Sequence, residues 1–227
     1  MKHITRTKIC GMKSIDDIEM AARCGADAVG FIVDVPVNTP RKISAKKAME
    51  LVSNVSFFMD SVLVIMPESG DQVVSMVETI KPDLVQIHRD FSIEDLEYVK
   101  DHIDIPIVKT YSIKSGSSSN SFNEAQKIVE KVDNLNNKGL VDGILLDSRT
   151  DVKVGGSGTI HDWSISKTVV DNVDLPVVLA GGLSPDNVRN AVHTVSPYAV
   201  DTSSGVETNG RKDGDKICRF ISEARCV

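Results

Sequence analysis

Eight short runs rich in Val, Ile and Leu recur along the chain, and amphipathic stretches separate them. The runs are Thr7–Cys10, Ala28–Val33, Ser61–Met66, Leu84–Ile87, Ile105–Lys109, Gly143–Leu146, Pro176–Leu179 and Tyr198–Val200. They show little alternation of apolar and polar residues, the pattern of strands buried on both faces of a parallel sheet. Two architectures accommodate eight such alternations: a closed (β/α)8 barrel and an open doubly wound sheet. An open sheet usually carries a glycine-rich phosphate loop after its first strand. Here the first run ends in Cys10-Gly11 and the glycines gather after the later runs, where barrels commonly hold phosphate. The reading is an α/β protein, a (β/α)8 TIM barrel in a single domain spanning residues 1–227, a length that suits eight βα units.

Helix signals fall between the runs. Ser14-x-x-Asp17 has the form of a capping box before Ile18, and Gly25 sits where that helix would stop. Ser44 precedes a helical pattern over Lys46–Val52, and Ser92 precedes one over Ile93–Val99. Ser184-Pro185 reads as an N-cap followed by proline in the first turn. The polar stretch Ser112–Asn123 reads as a loop, with helix over Asn123–Asn134.

A net charge of −6 argues against nucleic acid as a partner, because a phosphate-backbone binder needs a basic surface. A single small phosphate needs only backbone amides at a helix start. The four cysteines, Cys10, Cys24, Cys218 and Cys226, form no C-x-x-C pair, and the histidines show no metal spacing, so no metal is expected. No signal peptide opens the sequence and no run nears the roughly 20 apolar residues of a membrane span. The expectation is a soluble, reduced, cytoplasmic protein with no membrane partner.

In a barrel the residues just past the strand C-termini converge on one mouth. A thiol, Cys10, ends the first run; read alone, it is more often a small buried hydrophobe than a base. A carboxylate, Asp147, follows Ile144-Leu145-Leu146, where it is costly unless the strand end is open or the group is paired. Its alternative is a cap on the following turn. Gly181-Gly182 and Ser203-Ser204-Gly205 close neighbouring late runs and can turn backbone N–H groups toward a phosphate. Arg41 after the second run suits a carboxylate, and His88 ends the fourth. Gly155-Gly156-Ser157-Gly158 reads as a lid or as a plain flexible loop.

Taken in order, these segments resemble the phosphoribosylanthranilate isomerases. Lys8-Ile9-Cys10-Gly11-Met12 is similar to the family's opening motif, Thr39-Pro40-Arg41-Lys42-Ile43-Ser44 to its Ser-Pro-Arg segment, and Val85-Gln86-Ile87-His88 to its Val-Gln-Leu-His. Leu145–Ser148, Gly155–Gly158, Asp162-Trp163, Leu179–Leu183 and Val200–Glu207 continue the match over nearly the whole chain. Departures are Arg89-Asp90 after the histidine, Met66-Pro67 after the third strand, Thr159 for a lid lysine, and His161 for a lid phenylalanine.

The resemblance implies an Amadori rearrangement in tryptophan biosynthesis. N-(5-phosphoribosyl)anthranilate becomes 1-(2-carboxyphenylamino)-1-deoxyribulose 5-phosphate, a small-molecule phosphosugar reaction without cofactor. It implies Asp147 as the acid that opens the furanose ring and Cys10 as the base that removes the proton at C2. Arg41 would meet the anthranilate carboxylate. His88, Gly156 and Gly158 would line the substrate, and Gly181, Gly182, Ser203 and Ser204 would cradle its phosphate. The acid must keep its proton near neutrality, which a dry site can arrange by raising its pKa. Relatives include monomers and homodimers, so a homodimer is one expected assembly.

Two rivals share the fold. Indoleglycerol-phosphate synthase would need a catalytic lysine at a strand end, for which Lys109 is the best placed. A non-catalytic phosphate-ligand sensor would not need Cys10 and Asp147 together.

Overall fold

The computed structural model describes residues 4–114, 121–149 and 160–226. Strands β1 (Arg6–Cys10), β2 (Ala28–Val33), β4 (Asp60–Ile65), β5 (Leu84–Ile87), β6 (Ile107–Lys114), β7 (Gly143–Arg149), β8 (Val177–Leu179) and β9 (Ala199–Thr202) pair in parallel, each with its sequence neighbour. Closure comes from β1, which pairs with β2 through Cys10↔Gly30 and with β9 through Lys8↔Asp201. A short β3 (Lys42–Ile43) adds to β2 outside the ring, and β10 (Glu207–Thr208) with β11 (Arg211–Lys212) forms a hairpin after β9. The result is the expected single-domain (β/α)8 barrel.

Helices α1 (Ile15–Arg23), α2 (Ala45–Val52), α3 (Gly70–Ile80), α4 (Ile93–His102), α5 (Ser121–Asn137), α6 (Trp163–Asn172), α7 (Val188–Val195) and α8 (Gly214–Arg225) form the outer layer. The capping box of Ser14 with Asp17 is present. Gly25 takes φ +83°, with Gly25 N–H on Ala22 O and Ala26 N–H on Ala21 O, a Schellman stop. Ser44 and Ser92 cap α2 and α4 as read.

Aspartates just before β2, β5 and β7 tie the floor of the barrel. Asp27 Oδ2 accepts from Thr7 N–H at 2.7 Å, Asp83 Oδ2 from Ser61 N–H at 2.8 Å, and Asp142 Oδ2 from Ile107 N–H at 2.9 Å. Each carboxylate accepts from an N–H in the first two residues of the preceding strand, at the barrel rim. Phe31 and Phe220 are fully buried between sheet and helices, and truncating either to alanine costs about 3–5 kcal/mol in a typical core.

Three expectations need correction. Ser112–Lys114 is strand, not loop, because its backbone pairs with Asp147–Arg149, and α5 begins at Ser121; residues 115–120 lie outside the described set. The last helix before β9 begins at Val188 and not at Pro185. Ser184 instead closes a turn, with Asn187 Oδ1 accepting from its N–H at 2.8 Å. The third concerns redox state: Cys24, which caps α1, is joined to Cys218 of α8 by a disulfide with Cα atoms 4.7 Å apart. Barrel closure makes the first and last helices neighbours, so residues 194 apart in sequence meet. Cys10 and Cys226 are free thiols.

Candidate active site

Cys10 ends β1 with its side chain in the lumen, packed with Val62 and Val64. The position opposite is Gly30, where a methyl group would lie 2.8 Å from the sulfur. Only glycine on β2 leaves room for the thiol. Burial pushes the Cys10 thiol above its ordinary range; Lys8 and Lys212 pull it back, and Asp201 works against them.

Asp147 lies within β7, and its Oδ2 stands 3.2 Å from His88 Nε2 at the end of β5. The side chains of Asp147 and His88 are 31% and 30% exposed. Among the described residues Asp147 caps no turn, and its hydrogen-bond partner is His88.

Beneath the mouth, Lys8 Nζ donates to Asp201 Oδ2 at 2.9 Å and to Gln86 Oε1 at 3.0 Å, and Gln86 Nε2 donates to Thr110 Oγ1 at 3.3 Å. These residues come from β1, β9, β5 and β6, which can meet only across the lumen. A polar layer therefore lies directly under Cys10. Sequence reading missed Lys8 and Asp201 as site residues. The available signal was a lysine in the first apolar run and an aspartate just after the last, which closure makes neighbours.

Arg41 reaches the rim over Gly11, whose φ of +81° and missing side chain admit both Arg41 Cδ and Ser203 Oγ at 2.9 Å from where a Cβ would stand. Its Nε and Nη2 donate to Glu207 Oε1 and Oε2 at 2.8 and 2.7 Å. Arg41 was read as free to hold a carboxylate with both arms; here that fork grips Glu207. Lys212 Nζ also donates to Glu207 Oε1, at 3.0 Å, and to Ser203 O, at 3.0 Å. Burial pushes Glu207 up, but hydrogen bonds and charge from Arg41 and Lys212 outweigh it and hold the carboxyl at about 2.

The two late turns come together as read. Gly181 and Gly182 take φ of +85° and +69°, and Asn187 Nδ2 donates to Gly182 O at 3.0 Å. Gly205 packs so closely on Leu183 O that a Cβ there would lie 1.9 Å away. Thr202 Oγ1 donates to the same carbonyl at 2.7 Å, and Ser203 Oγ to Cys10 O at 2.9 Å. The turn bearing Ser203 and Ser204 is thus fixed to both the Gly181-Gly182 turn and the end of β1. Gly156 and Gly158 lie outside the described residues.

His161 is 2% exposed, with Ser148 Oγ 2.8 Å from Nδ1 and Ser166 Oγ 2.6 Å from Nε2. Burial pulls it down to about 4, so it is neutral at ordinary pH and ties the start of α6 to the end of β7. Lys109 leaves β6 on the side opposite the lumen. Its neighbour Thr110 occupies the lumen, and Lys109 Nζ donates to Thr110 O at 3.0 Å and lies 5.3 Å from the Tyr111 ring centroid. That orientation removes the lysine an indoleglycerol-phosphate synthase would need. Among the described residues no cluster of His, Cys, Asp and Glu could hold a metal ion.

The family model for N-(5'-phosphoribosyl)anthranilate (PRA) isomerase matches residues 7–223. The N-(5'-phosphoribosyl)anthranilate isomerase of Methanosarcina acetivorans is 48% identical over 98% of this chain and 94% of its own. Among solved structures, that of the isomerase from Pyrococcus furiosus is 28% identical with a TM-score of 0.84, over 98% of this chain and 100% of its own. A phosphoribosylanthranilate isomerase in complex with reduced 1-(o-carboxyphenylamino)-1-deoxyribulose 5-phosphate is 29% identical with a TM-score of 0.78, over the same shares. Monomers derived from the dimeric isomerase of Thermotoga maritima are 30% identical with a TM-score of 0.78, over 98% of this chain and 100% of theirs.

Proposed function

The chain belongs to the N-(5'-phosphoribosyl)anthranilate (PRA) isomerase family, and on that premise we propose how its residues divide the reaction. It is an isomerase of tryptophan biosynthesis that converts N-(5'-phosphoribosyl)anthranilate to the aminoketose phosphate by an Amadori rearrangement. Asp147 protonates the furanose ring oxygen as the C1–O bond breaks and a Schiff base forms. The Cys10 thiolate then removes the proton at C2, giving an enolamine that tautomerises to the ketone. The observation that carries this assignment is a thiol and a carboxyl at the ends of β1 and β7 facing one mouth, the carboxyl 3.2 Å from His88. His88 serves as the proton partner of Asp147. The Nη1 edge of Arg41, which takes no part in the Glu207 pair, receives the anthranilate carboxylate. The turns at Gly181-Gly182 and Ser203-Ser204 hold the phosphate, and Gly156 and Gly158 belong to the substrate-binding residues.

The activity test is turnover of N-(5'-phosphoribosyl)anthranilate by purified protein, set against other aminoaldose phosphates; equal rates on all would refute the assignment. Inorganic phosphate should compete with substrate. A crystal soaked in sulfate with the anion elsewhere and the Gly182–Ser203 cradle empty would remove the phosphate reading.

No described helix is long and apolar enough to cross a membrane. We assign the enzyme to the cytoplasm with its small-molecule substrate and without a nucleic-acid or membrane partner. The Cys24–Cys218 bond is the feature at odds with that compartment, where thiols are kept reduced.

We also propose a homodimer through the floor of the barrel. Phe57 and Phe58, between α2 and β4, are 93% and 91% exposed, with rings packed edge to face at 5.0 Å. Phe57 borders a hollow of about 500 Å³ whose lining mixes apolar side chains, Met49, Val52 and Ile80 among them, with polar ones such as Asp60, Lys81 and Asp83. A knob and a hollow on one face suit a second copy of the same face. Light scattering should show a dimer, converted to monomer by Phe57→Ala/Phe58→Ala with turnover per site retained, since this face lies opposite the mouth. A wild-type monomer at assay concentration would end the proposal.

A further inference from the structure

Between Cys10 and the barrel floor lies an ion pair that the isomerisation scheme leaves unused. Lys8 precedes Cys10 by two residues on β1, so both side chains leave the strand on its lumen face. Both pack over Gly30, where a methyl group would lie 2.8 Å from Cys10 Sγ and 3.2 Å from Lys8 Cε. Lys8 Nζ is fixed by Asp201 Oδ2 at 2.9 Å and Gln86 Oε1 at 3.0 Å, and the side chains of Lys8 and Asp201 are each only 9% exposed. Asp201 Oδ1 has no hydrogen-bond partner among the described residues, so the ion pair with Lys8 is the main compensation for burying this carboxylate. A buried ion pair is weak as a stabilising device, because desolvation cancels most of its attraction and an apolar replacement often does as well. Its place directly under a reactive thiol calls for a role in the chemistry.

We propose that the Lys8–Asp201 pair is the charge partner of Cys10: Lys8 faces the thiolate from below, and Asp201 fixes Lys8 there and takes up part of its charge. Both are positioning residues, and the inference rests on the reading of Cys10 as the base. The charged groups that act on Cys10 are Lys8 on its own strand, Asp201 on β9 and Lys212 on β11. Arg41 feels the Cys10 charge from the rim, and Asp147 acts on both members of the pair from β7. Burial pulls Lys8 down, but the negative charges of Asp201, Cys10 and Asp147 outweigh it and keep the ammonium charged. Asp201 therefore has two opposed effects on the sulfur. It keeps the cation in place, and it dilutes the cation's field.

The test is the pH at which Cys10 becomes reactive, followed as its rate of labelling by iodoacetamide and read by mass spectrometry on the full chain. A Cys226→Ser background removes the exposed thiol. Lys8→Gln should move the labelling midpoint up by about 1–3 pH units, and Asp201→Asn should move it down, with kcat–pH profiles following in the same directions. The double substitution should return it toward the parent value. A pair that only held the barrel together would shift both single variants the same way, through loosening, and that result overturns the proposal. Lys8→Gln strands a buried carboxylate; if it does not fold, Asp201→Asn decides alone, because the amide oxygen still accepts from Lys8. An upward or absent shift there overturns the proposal. Opposite shifts in a protein whose Cys10→Ser variant keeps its turnover would uphold the charge pair and refute the base assignment.

Discussion

Cys10→Ser is expected to fold normally and to lose about 10²–10⁴-fold in kcat, the usual worth of a positioned acid or base. The hydroxyl is smaller than the thiol, so it fits over Gly30 without displacing β2, and the Lys8–Asp201 layer beneath is untouched. What changes is basicity. A thiol ionises within reach of neutral pH, whereas an alcohol does not, and only the thiolate can take the C2 proton. In the parent enzyme burial pushes Cys10 up, and Lys8 and Lys212 only partly offset it. The sign for activity follows: the competent form is the deprotonated one, so turnover rises with pH along a limb that extends above the ordinary thiol range. The serine variant should lack that limb altogether. Circular-dichroism melting and kcat measured on one preparation separate the readings: unchanged melting with near-normal kcat would show that Cys10 is the small buried hydrophobe its burial also suits.

The parts legible in the sequence were those set by local pattern. Strands with largely apolar runs, such as Ala28–Val33 and Leu84–Ile87, have the bounds their composition predicts, because burial on both faces narrows the residues available. Ser14 with Asp17 announced α1 because a capping box is a short-range device. The illegible parts were those made by closure. Lys8 and Asp201 sit in separate runs 193 residues apart and become partners only when β9 returns to β1; Cys24 and Cys218 meet for the same reason. Glu207 was read as the tail of a motif, yet it takes both arms of Arg41, a pairing fixed by the β10–β11 hairpin. Ser112–Lys114 has the polar composition of a loop. Its strand character comes from β7, whose polar end Asp147–Arg149 emerges at the mouth beside it.

Asp147→Asn is expected to cost at least as much turnover as the cysteine variant while leaving the melting temperature within a few degrees. Asparagine keeps the shape of the side chain and can still bond to His88 Nε2, so the link between β7 and β5 survives. The amide has no acidic proton to give the ring oxygen, so ring opening loses its acid. If Asp147 acts only as the C1–O bond breaks, kcat and kcat/KM fall together and KM stays close to the parent value. Had the carboxyl capped a turn, asparagine would have been an equally good cap, but Asp147 stands within β7 and caps no turn among the described residues. The remaining bland role is a hydrogen-bond acceptor that orients His88. In that case Asp147→Asn would be nearly neutral in rate, because the amide oxygen does the same work, and His88→Ala would carry the loss. Comparing the two variants under saturating substrate decides the matter: an active Asp147→Asn enzyme beside an inactive His88→Ala one would transfer the acid role to the histidine.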